Sequence, residues 1–514
     1  MSLAAAEKAR THPNDLALAD ERQTMSWSAL DDTLNRAANA LLASGLAPGQ
    51  RIGVFANNSA ETVLAYLAGL HAGISSIPIN FHLTAEEVAF ILREGSADLL
   101  FVGPETAAVG VQAAAMAGCG QVVGWRTDVS GVVGWESWLA EASSAAPPTD
   151  QPPRPFLHFT SGTTGTPKGA ETPPNMFART ETVAGFFDAL KEQAAVASPG
   201  PGLAVGPLYH TGPLGSVRQL GGGKPLVVMG RFDPEKVIET IDRYKISSTL
   251  MVPTHFQRLL TLPHEVRARH DVSSLMAVFH TGAACPRDAK RAIIDWFGPV
   301  LVEAYGGTES GTTNIITSEE WLRKPGSVGK TLPPFELMVI GEAGETLGPN
   351  AVGQLYFRDT TGRGIIYHND AEKTAAAHIA PGVFTLGEMG YADDEGYVFI
   401  TDRVSDMIVS GGVNIYPAEA ELVLVRHPGV ADVAVIAVPN AEMGEEVKAL
   451  VMAADPAAPP AAAELDAFCR EHLAGYKCPR SYEVVADLGR NAMGKINKRS
   501  LMRPYWPTDR TIGG

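Results

Sequence analysis

Apolar and polar positions along the first third of the chain form blocks that predict single helices between short strands. One helix is predicted after Ser28, which can form a capping box with Asp31 and is followed by a stop at Gly45; its apolar face comprises Leu30, Leu34, Ala37, Ala38 and Leu41. The next predicted elements are a strand at 51–55, a helix from Ser59 to Gly73, a strand at 75–79, a helix from Thr84 to Gly95 and a strand at 99–102. Strands joined by single helices imply an α/β fold with a doubly wound parallel sheet.

Beyond Thr401 the pattern changes to short strands, two small helices and a break rich in proline and alanine at 455–460. This pattern predicts a second, smaller domain of the α+β class. Its length of about a hundred residues is a usual size for one domain. The boundary between the two domains is expected near 402–405.

The composition is that of an ordinary globular protein. Of the 514 residues, 45% are hydrophobic and 19% are charged, and a chain of this length is expected to form two or more domains. No apolar run has the length of a membrane span, and residues 1–10 lack the apolar core of a signal peptide, so we expect a cytoplasmic protein. The 4 cysteines have neither metal nor disulfide spacing, and a net charge of −16 argues against a nucleic-acid partner.

The strongest chemical signal is the stretch 156–170, which reads FLHFTSGTTGTPKGA. A short apolar run predicts a strand, and it leads into glycines and hydroxyl residues that end at Lys168. Glycines let backbone N–H groups turn toward an anion, hydroxyls add donors, and Lys168 adds a positive charge. The stretch therefore predicts a polyphosphate-binding loop. A flexible polar linker is the alternative, but a linker would not begin with a strand and end in Lys-Gly.

Two weaker patterns are interpreted as structural. Pro225 follows the segment 221–224 and prevents the helix that a phosphate loop needs, so an ordinary turn is expected there. His264, Glu265 and His270 do not have the spacing of a zinc-binding helix.

The loop at 156–170 resembles the signature loop of the adenylate-forming (ANL) superfamily, and further segments resemble that family in the same order along nearly the whole chain. The segment 305–309 is similar to the family's Tyr-Gly-x-Thr-Glu element, which implies that Thr308 meets the α-phosphate and that Glu309 helps to hold Mg²⁺, both as catalytic residues. Thr164 is the second residue expected at the metal. The nucleotide-binding residues that the resemblance implies are Thr160, Ser161, Gly162, Thr163, Thr164, Gly165, Lys168, Gly282, Ala283, Ala284, Glu303, Ala304, Tyr305, Gly306, Thr308, Glu388 and Arg403.

The segment 207–210 resembles the part of aryl- and fatty-acyl-CoA ligases that lines the acyl site, which implies a catalytic role for His210; a structural histidine is the open alternative. The aspartate that amino-acid-activating relatives carry there is absent, so an α-amino acid substrate is not expected. The acyl pocket is expected at Tyr209, His210, Gly282, Gly306 and Gly307. The CoA-binding residues that the resemblance implies are Gly411, Gly412, Met443 and Lys477.

The segment 491–498 resembles the family's tail element, whose lysine corresponds to Lys495, and the residues around Ser405 resemble its hinge. The resemblance implies an N-terminal adenylate-binding domain at 1–402, a hinge at 403–405 and a mobile C-terminal domain at 406–514. Lys495 would bridge the substrate carboxylate and the α-phosphate, and would then leave so that a CoA thiol can attack. The expected activity is that of an acid–thiol ligase, which joins a carboxylic acid to CoA through an acyl-adenylate formed from ATP.

Four positions depart from the family's pattern. Glu388 replaces the aspartate that binds both ribose hydroxyls, and Asp402 replaces the glycine before Arg403. Ser405 stands where the hinge has Asp or Lys, and Gly489 replaces a proline before Arg490. Displacements of order 1 Å can lower a rate about a hundredfold. We therefore expect the adenylation half-reaction to be weak or lost, so that preformed acyl-AMP plus CoA would be the substrate pair.

The substrate is expected to be a bulky hydrophobic or ring-containing acid, because Gly282, Gly306 and Gly307 suggest room in the pocket. As a whole, the chain resembles natural-product CoA ligases for terpenoid acids. Two alternative functions stay open: an enzyme that loads an acyl group onto a carrier protein, and a nucleotide-binding module with reduced catalysis. A homodimer also stays open.

Overall fold

The structure, a computed structural model, describes residues 3–47, 49–160, 168–172, 180–283, 285–403, 406–410, 413–440, 443–473, 475–491 and 494–506. Nine of the residues singled out above lie outside these ranges: Ser161, Gly162, Thr163, Thr164, Gly165, Ala284, Ser405, Gly411 and Gly412. The expectations made for them stay predictions.

Helices and short strands alternate through the first part of the chain. The helices are α1 (Ala4–Thr11), α2 (Trp27–Ala43), α3 (Ala60–Ala72), α4 (Ala85–Glu94), α5 (Ala107–Ala117) and α6 (Trp135–Ala140). The strands are β1 (Leu16–Ala19), β2 (Thr24–Ser26), β3 (Arg51–Phe55), β4 (Ser76–Pro78), β5 (Ala97–Val102), β6 (Gln121–Gly124), β7 (Val133–Gly134) and β8 (Leu157–Thr160). Five of these strands form one parallel sheet in the order β4-β3-β5-β6-β7, as predicted.

The helix caps explain where these elements begin. The predicted caps of α3 and α4 are confirmed: Ser59 Oγ accepts a hydrogen bond from the Thr62 amide at 3.2 Å, and Thr84 and Glu87 form a capping box. The predicted start of α2 is wrong. Ser26 Oγ accepts from the Ala29 amide at 3.3 Å, so Ser26 is the cap and Ser28 lies within the first turn.

The middle of the chain is a larger mixture of strands and helices. Its helices are α7 (Val183–Val196), α8 (Thr211–Gly221), α9 (Pro234–Tyr244), α10 (Pro253–Leu260), α11 (His264–Arg267), α12 (Arg287–Phe297), α13 (Ser318–Arg323) and α14 (Ala371–Ala376). Its strands are β9 (Lys168–Glu171), β10 (Gly202–Ala204), β11 (Leu226–Val228), β12 (Ser248–Met251), β13 (Ala277–His280), β14 (Leu301–Gly307), β15 (Gly311–Thr317), β16 (Lys330–Thr331), β17 (Phe335–Ile340), β18 (Gly353–Asp359), β19 (His378–Ala380), β20 (Val383–Phe384), β21 (Glu388–Ala392) and β22 (Val398–Arg403).

These strands form three further sheets. A nine-stranded sheet has the order β16-β15-β14-β13-β12-β10-β11-β1-β2, and its central strands from β14 to β1 are parallel. An antiparallel sheet of β17 to β22 follows, and β8 pairs with β9 alone. The segment 221–224 is an ordinary turn, as predicted: it ends α8, and Lys224 Nζ donates to Ser248 Oγ at 2.7 Å.

The last hundred or so residues form a smaller sheet with its own hydrophobic core. The strands are β23 (Ile408–Ser410), β24 (Val413–Ile415), β25 (Val430–Asn440), β26 (Gly444–Ala453) and β27 (Ser481–Val484), and the helices are α15 (Pro417–Leu424), α16 (Ala462–His472) and α17 (Lys498–Met502). The core contains Ile408, Leu424, Val435, Leu450 and Cys469, all at most 2% exposed. The fold is thus α/β, with a large N-terminal part built on parallel sheets and a smaller C-terminal part; the boundary at 403–405 stays a prediction.

Parallel strands place the candidate site at one edge of the nine-stranded sheet. The carboxyl ends of β10, β12, β13 and β14 lie at the same edge, and they lead directly to His210, Thr254, Gly282 and Thr308. Ligands in open α/β sheets bind outside this edge. None of the helices in the described ranges has the length and apolar character that crossing a bilayer requires.

Candidate active site

The described end of the predicted phosphate loop is Lys168, the first residue of β9. The backbone of Thr160 at the end of β8 lies opposite Lys168 in the two-stranded sheet, so the loop between them connects two adjacent strands. Lys168 Nζ lies 3.2 Å from Asp370 Oδ2. The Asp370 carboxylate also accepts a hydrogen bond from the Lys373 amide at 2.9 Å, and this bond and Lys168 lower the pKa of Asp370. The lysine therefore has a carboxylate partner that would compete with a phosphate.

Glu309 lies in the turn of the hairpin β14–β15, beside Thr308. Its Oε1 accepts a hydrogen bond from the hydroxyl of Tyr367 at 2.9 Å. Burial and the charge of Glu309 raise the pKa of Tyr367, so the phenol stays protonated and donates. Lys373 Nζ lies 3.6 Å from the centre of the Tyr367 ring. Burial lowers the pKa of Lys373, the charge of Glu309 opposes this shift and the charge of Lys168 adds to it. Asp370 contacts both Lys168 and the Lys373 amide, so the two lysines lie on either side of one carboxylate.

A strand-like segment brings Tyr367 and Asp370 to Lys168. The His368 amide donates to the Gly169 carbonyl at 2.7 Å, and the Glu171 amide donates to the Ile366 carbonyl at 3.1 Å. The segment passes so close that a Cβ on Gly169 would lie 2.9 Å from the Cβ of His368. Sequence reasoning missed this segment. Its only local signals are the apolar pair before Tyr367 and the cap of α14 at Asp370.

The residues expected at the adenosine lie on neighbouring strands. The Tyr305 hydroxyl donates to Glu388 Oε2 at 2.9 Å, and the backbone of Arg403 lies opposite Glu388 in the pair β21–β22. Gly282, which follows β13, has a φ of +95°, a conformation that favours glycine; Ala283 comes next. The structure thus brings Tyr305 and Glu388 into direct contact, and the side chain of Glu388 is buried at 8% exposure.

Glu303 of β14 has a different environment. Lys290 Nζ lies 2.5 Å from Glu303 Oε2, and burial raises the pKa of this carboxyl. His280 Nε2 lies 3.6 Å from the same oxygen. Ala304 pairs with Ile315 within the hairpin. The Glu303 side chain is committed to an internal ion pair, so its role in nucleotide binding stays a prediction.

The glycines of the hairpin are required by the backbone. A Cβ on Gly306 would lie 1.9 Å from the carbonyl oxygen of Gly311, and one on Gly307 would lie 2.9 Å from Glu309 Oε2. Close approach of two strands therefore accounts for glycine at 306 without reference to the size of a pocket.

His210 and Tyr209 precede α8. The ring of Tyr209 lies 5.3 Å from that of Phe81 and 4.4 Å from that of His210, so three aromatic side chains pack together here. Burial lowers the pKa of His210 to about 3, and the charge of Lys495 contributes to the same shift. The neighbour of Lys495 lies at the same edge, because a Cβ on Gly494 would be 2.7 Å from Cγ2 of Thr254, which follows β12.

Lys495 stands on a tight turn. The Gly494 amide donates to the Asn491 carbonyl at 2.8 Å, and the Lys495 amide donates to Asn491 Oδ1 at 3.0 Å. Arg490 anchors the turn, because its guanidinium lies 2.5 Å from Asp432 Oδ2 and 2.5 Å from the Gly494 carbonyl oxygen. Gly489 has a φ of +64°, which proline cannot adopt, so this loop differs from one that begins with proline.

Two of the residues predicted for CoA lie in the described ranges. Lys477 Nζ lies 2.5 Å from Glu419 Oε2, and this hydrogen bond raises the pKa of Lys477. The Met443 amide donates to Asn440 Oδ1 at 2.9 Å. Glu419 would compete with a CoA phosphate for Lys477.

The chemistry of Glu309 fits a nucleotide-bound Mg²⁺. Within the described ranges, no three His, Cys, Asp or Glu side chains are grouped so that they could hold a metal ion by themselves. Mg²⁺ in nucleotide enzymes is usually held by one or two carboxylates together with substrate phosphates and water, and it does not need a cage of protein ligands. A single carboxylate beside two ammonium groups suits that arrangement.

Family models confirm the class of protein that this site defines. Residues 5–364 match the model described as AMP-binding enzyme, and residues 419–495 match its C-terminal domain. The chain therefore belongs to the AMP-binding enzyme family, the adenylate-forming superfamily that the sequence motifs resemble.

Individual relatives place the chain in the acyl-CoA ligase branch. It is 33% identical, over 96% of each chain, to 3-[(3aS,4S,7aS)-7a-methyl-1,5-dioxo-octahydro-1H-inden-4-yl]propanoyl:CoA ligase of Mycobacterium tuberculosis. It is 31% identical to the fatty acid–[acyl-carrier-protein] ligase ScoC of Streptomyces coeruleorubidus, over 97% of this chain and 95% of ScoC. The structure of o-succinylbenzoate CoA synthetase of Bacillus subtilis with its acyl-adenylate superposes with a TM-score of 0.79 and 25% identity, over 100% of this chain and 99% of that one. The protein is an acid–thiol ligase that uses ATP and CoA.

Proposed function

We propose that this enzyme joins a bulky hydrophobic or ring-containing acid to CoA through an acyl-adenylate, and that its second half-reaction is the more efficient one. The observation that carries the proposal is the convergence of Lys168, Glu309, His210 and the turn that holds Lys495 at one edge of the nine-stranded sheet. Lys168 lies at the end of the phosphate loop, and Lys495 approaches from the C-terminal part.

The first half-reaction makes a carboxylate into an acyl donor. A carboxylate oxygen attacks the α-phosphorus of ATP, pyrophosphate leaves, and an acyl-adenylate forms. Lys168 and Lys495 offset the negative charge on the phosphates, and Mg²⁺ at Glu309 supplies additional charge neutralisation when it is bound.

The second half-reaction needs a free path to the acyl carbonyl. The sulfur of a thiol, with an intrinsic pKa of about 8.5, attacks that carbon, and AMP leaves. His210 is the candidate acceptor of the thiol proton. Burial is the main cause of its low pKa and Lys495 is the second, so withdrawal of Lys495 would raise that pKa only in part.

One contact supports a weak adenylation step. Asp370 lies 3.2 Å from Lys168, so the β- and γ-phosphates of ATP must compete with a carboxylate for this lysine. Acyl-AMP lacks those phosphates and does not depend on that competition. The contact between Tyr305 and Glu388 does not distinguish ATP from acyl-AMP, because the two share the ribose that Glu388 would bind.

The proposed substrate class rests on the relatives and on the packed aromatic side chains of Phe81 and Tyr209. The mycobacterial relative is named for a bicyclic propanoic acid, and the synthetase with the matching structure is named for an aromatic one. Rings that pack edge to face suit planar or fused-ring substrates.

The test is a pair of assays with a panel of acids. One assay supplies free acid, ATP and CoA and measures pyrophosphate release; the other supplies synthetic acyl-AMP and CoA and measures acyl-CoA. We expect the second rate to exceed the first by at least about tenfold for ring-containing acids. Comparable rates would contradict the proposal of weak adenylation and leave an ordinary ligase. Absence of acyl-CoA in both assays would reject the thioesterification activity on CoA.

The variant Lys495→Ala sharpens these assays. It removes the charge that would stabilise the adenylation transition state, so the first rate is expected to fall about a hundredfold or more, whereas the acyl-AMP route is expected to change far less. Equal losses on both routes would mean that Lys495 acts on folding or on the shared adenylate.

Transfer to a carrier protein is the second candidate function. ScoC, at 31% identity, is named for that reaction, and the Lys477 side chain that would bind a CoA phosphate is paired with Glu419 in this structure. Mass spectrometry of a holo-carrier protein incubated with acyl-AMP and the enzyme would detect the acylated arm. Acylated carrier without acyl-CoA formation would favour this candidate.

A further inference from the structure

The ring of Tyr367 lies between two charged groups of the candidate site. Its hydroxyl donates to Glu309 Oε1 at 2.9 Å, and Lys373 Nζ lies 3.6 Å from the ring centre. A cation over the face of a phenol draws electron density from the ring and makes the hydroxyl a stronger donor. The ammonium group and the carboxylate are therefore linked through one side chain.

The backbone around Tyr367 holds the ring in place. The Tyr367 amide donates to Thr374 Oγ1 at 3.0 Å, and Tyr367 itself pairs with Ala170 of β9. The hydrogen bond from the His368 amide to Gly169 lies next to this pair. Because β9 begins at Lys168, the same strand fixes the phosphate-binding lysine and the tyrosine that contacts Glu309.

A carboxylate that helps to bind a metal–nucleotide complex must present its oxygens in one direction. A hydrogen bond to Oε1 fixes the plane of the carboxylate and therefore the direction of Oε2. Without it, Glu309 sits in a turn and is free to sample several rotamers about its side-chain bonds. Outer groups that orient a metal-binding carboxylate commonly change metal affinity about 10- to 100-fold.

We propose that Tyr367 is a positioning residue for Glu309 and that Lys373 holds and polarises its ring. The unit would increase the affinity for a nucleotide bound with a divalent cation and would have little effect on a nucleotide that lacks the cation. The inference rests on the proposed function, because the role of Glu309 at the metal comes from the family's motif.

The central experiment measures binding in the absence of turnover. Isothermal titration calorimetry would give the affinities for ATP with Mg²⁺ and for AMP without a divalent cation, and electron paramagnetic resonance with Mn²⁺ would report metal binding in the enzyme–ATP complex. The variant Tyr367→Phe keeps the ring and its contact with Lys373 and removes only the hydroxyl. We expect it to weaken Mn²⁺ binding and MgATP binding about tenfold and to leave AMP binding within about twofold.

The chain offers a matched control with the same chemistry. The Tyr397 hydroxyl donates to Glu320 Oε1 at 3.2 Å, and Lys330 Nζ lies 4.7 Å from the ring centre. Tyr397→Phe removes an equivalent hydroxyl outside the Glu309 cluster and is expected to leave all three affinities unchanged. Lys373→Met should weaken MgATP binding about threefold or more, and Lys373→Arg should restore most of this loss, because arginine keeps a cation over the ring.

The outcomes separate the inference from the function on which it rests. If wild-type protein binds MgATP and Tyr367→Phe binds it and Mn²⁺ equally well, the positioning role is rejected while the proposed function stands. An equal loss for AMP would reject it too, since the hydroxyl would then support the whole site. If the wild-type protein binds neither ATP nor AMP, the proposed function itself fails.

Discussion

Two glutamates on the same hairpin have opposite environments. Glu303 lies within β14, where Lys290, 1% exposed, pairs with it at 2.5 Å and burial raises its pKa. Glu309 lies in the turn after β14, where a phenol holds one of its oxygens and two ammonium groups lie nearby. The family resemblance implied a role at the nucleotide for both.

The difference shows how burial and partner decide what a carboxylate can do. Removing an ion pair from water costs free energy, which the attraction between its two charges must offset. The buried pair Lys290–Glu303 therefore has little capacity to accept a further ligand. A carboxylate at a turn keeps an oxygen for a substrate. The following predictions test this contrast.

The largest effect is expected from Lys290→Met. It leaves the carboxylate of Glu303 buried without its cation, which should lower the free energy of unfolding by roughly 3–5 kcal/mol. Urea denaturation measures the change. Lys324→Met, which breaks a more exposed pair with Asp393, is the control and should cost less than about 1 kcal/mol. If Lys290→Met lowered the free energy of unfolding only slightly, the Glu303 carboxylate would not be isolated from water.

Glu309→Gln should lower the activity and leave the stability nearly unchanged. It keeps the shape and the contact with Tyr367 and removes the charge, so adenylation should fall about a hundredfold or more while the melting temperature stays nearly constant. Glu320→Gln, which alters the carboxylate that Tyr397 contacts, is the matched control. If both variants retained full pyrophosphate release, the contrast between the two glutamates would have no functional meaning.

As the pH falls, protonation of buried histidines should destabilise the protein before acid affects the turn that carries Glu309. Burial lowers the pKa of His71 and His158 to about 4 and that of His255 to about 3. Unfolded chains bind these protons from about pH 6.5 downward, whereas the folded chain does not until pH approaches 4, so the free energy of unfolding falls as pH decreases across that window.

The variant His71→Leu isolates one of these protons. It should reduce the slope of stability against pH by up to about 1.4 kcal/mol per pH unit between roughly pH 6 and 4. The exposed His12 serves as the control site, with His12→Leu. Identical slopes for wild type and His71→Leu, measured by urea titration at each pH, would refute the assignment.

The smallest effect is expected from Tyr305→Phe. Its hydroxyl donates to Glu388 Oε2, so its removal should make this one oxygen available to the ribose and lower the KM for ATP about two- to fivefold. AMP affinity should improve equally, since both nucleotides carry the ribose. A raised KM would mean that Tyr305 orients Glu388 for the nucleotide and does not compete with it.

Local signals in the sequence were sufficient for the elements of the first sheet. The caps at Ser59 and Thr84 are read from two or three neighbouring residues, and the structure confirms both. The start of α2 was misplaced because two serines, Ser26 and Ser28, compete for the same role. The motifs also identified the family, since each is a short contiguous string.

The parts that sequence could not provide depend on pairing between distant segments. Nothing near Lys168 indicates that residues 366–368 will lie along β9, so the contacts of Tyr367 and Asp370 were missed. The ion pair of Lys290 with Glu303 joins a helix to a strand and has no local signature. Glycine at 306 was attributed to pocket room, whereas the carbonyl of Gly311 already excludes a side chain there.

The anchoring of the tail turn has a consequence for the cost of switching between half-reactions. Arg490 ties the turn of Lys495 to Asp432, which belongs to the same small sheet. Lys495 would consequently move together with the small sheet that holds its turn, and the hydrogen bonds of that turn would stay intact. If the C-terminal part moves as expected, the solvent-exposed pair of Arg426 with Asp288 would be one of the contacts that must break, and added salt would weaken it.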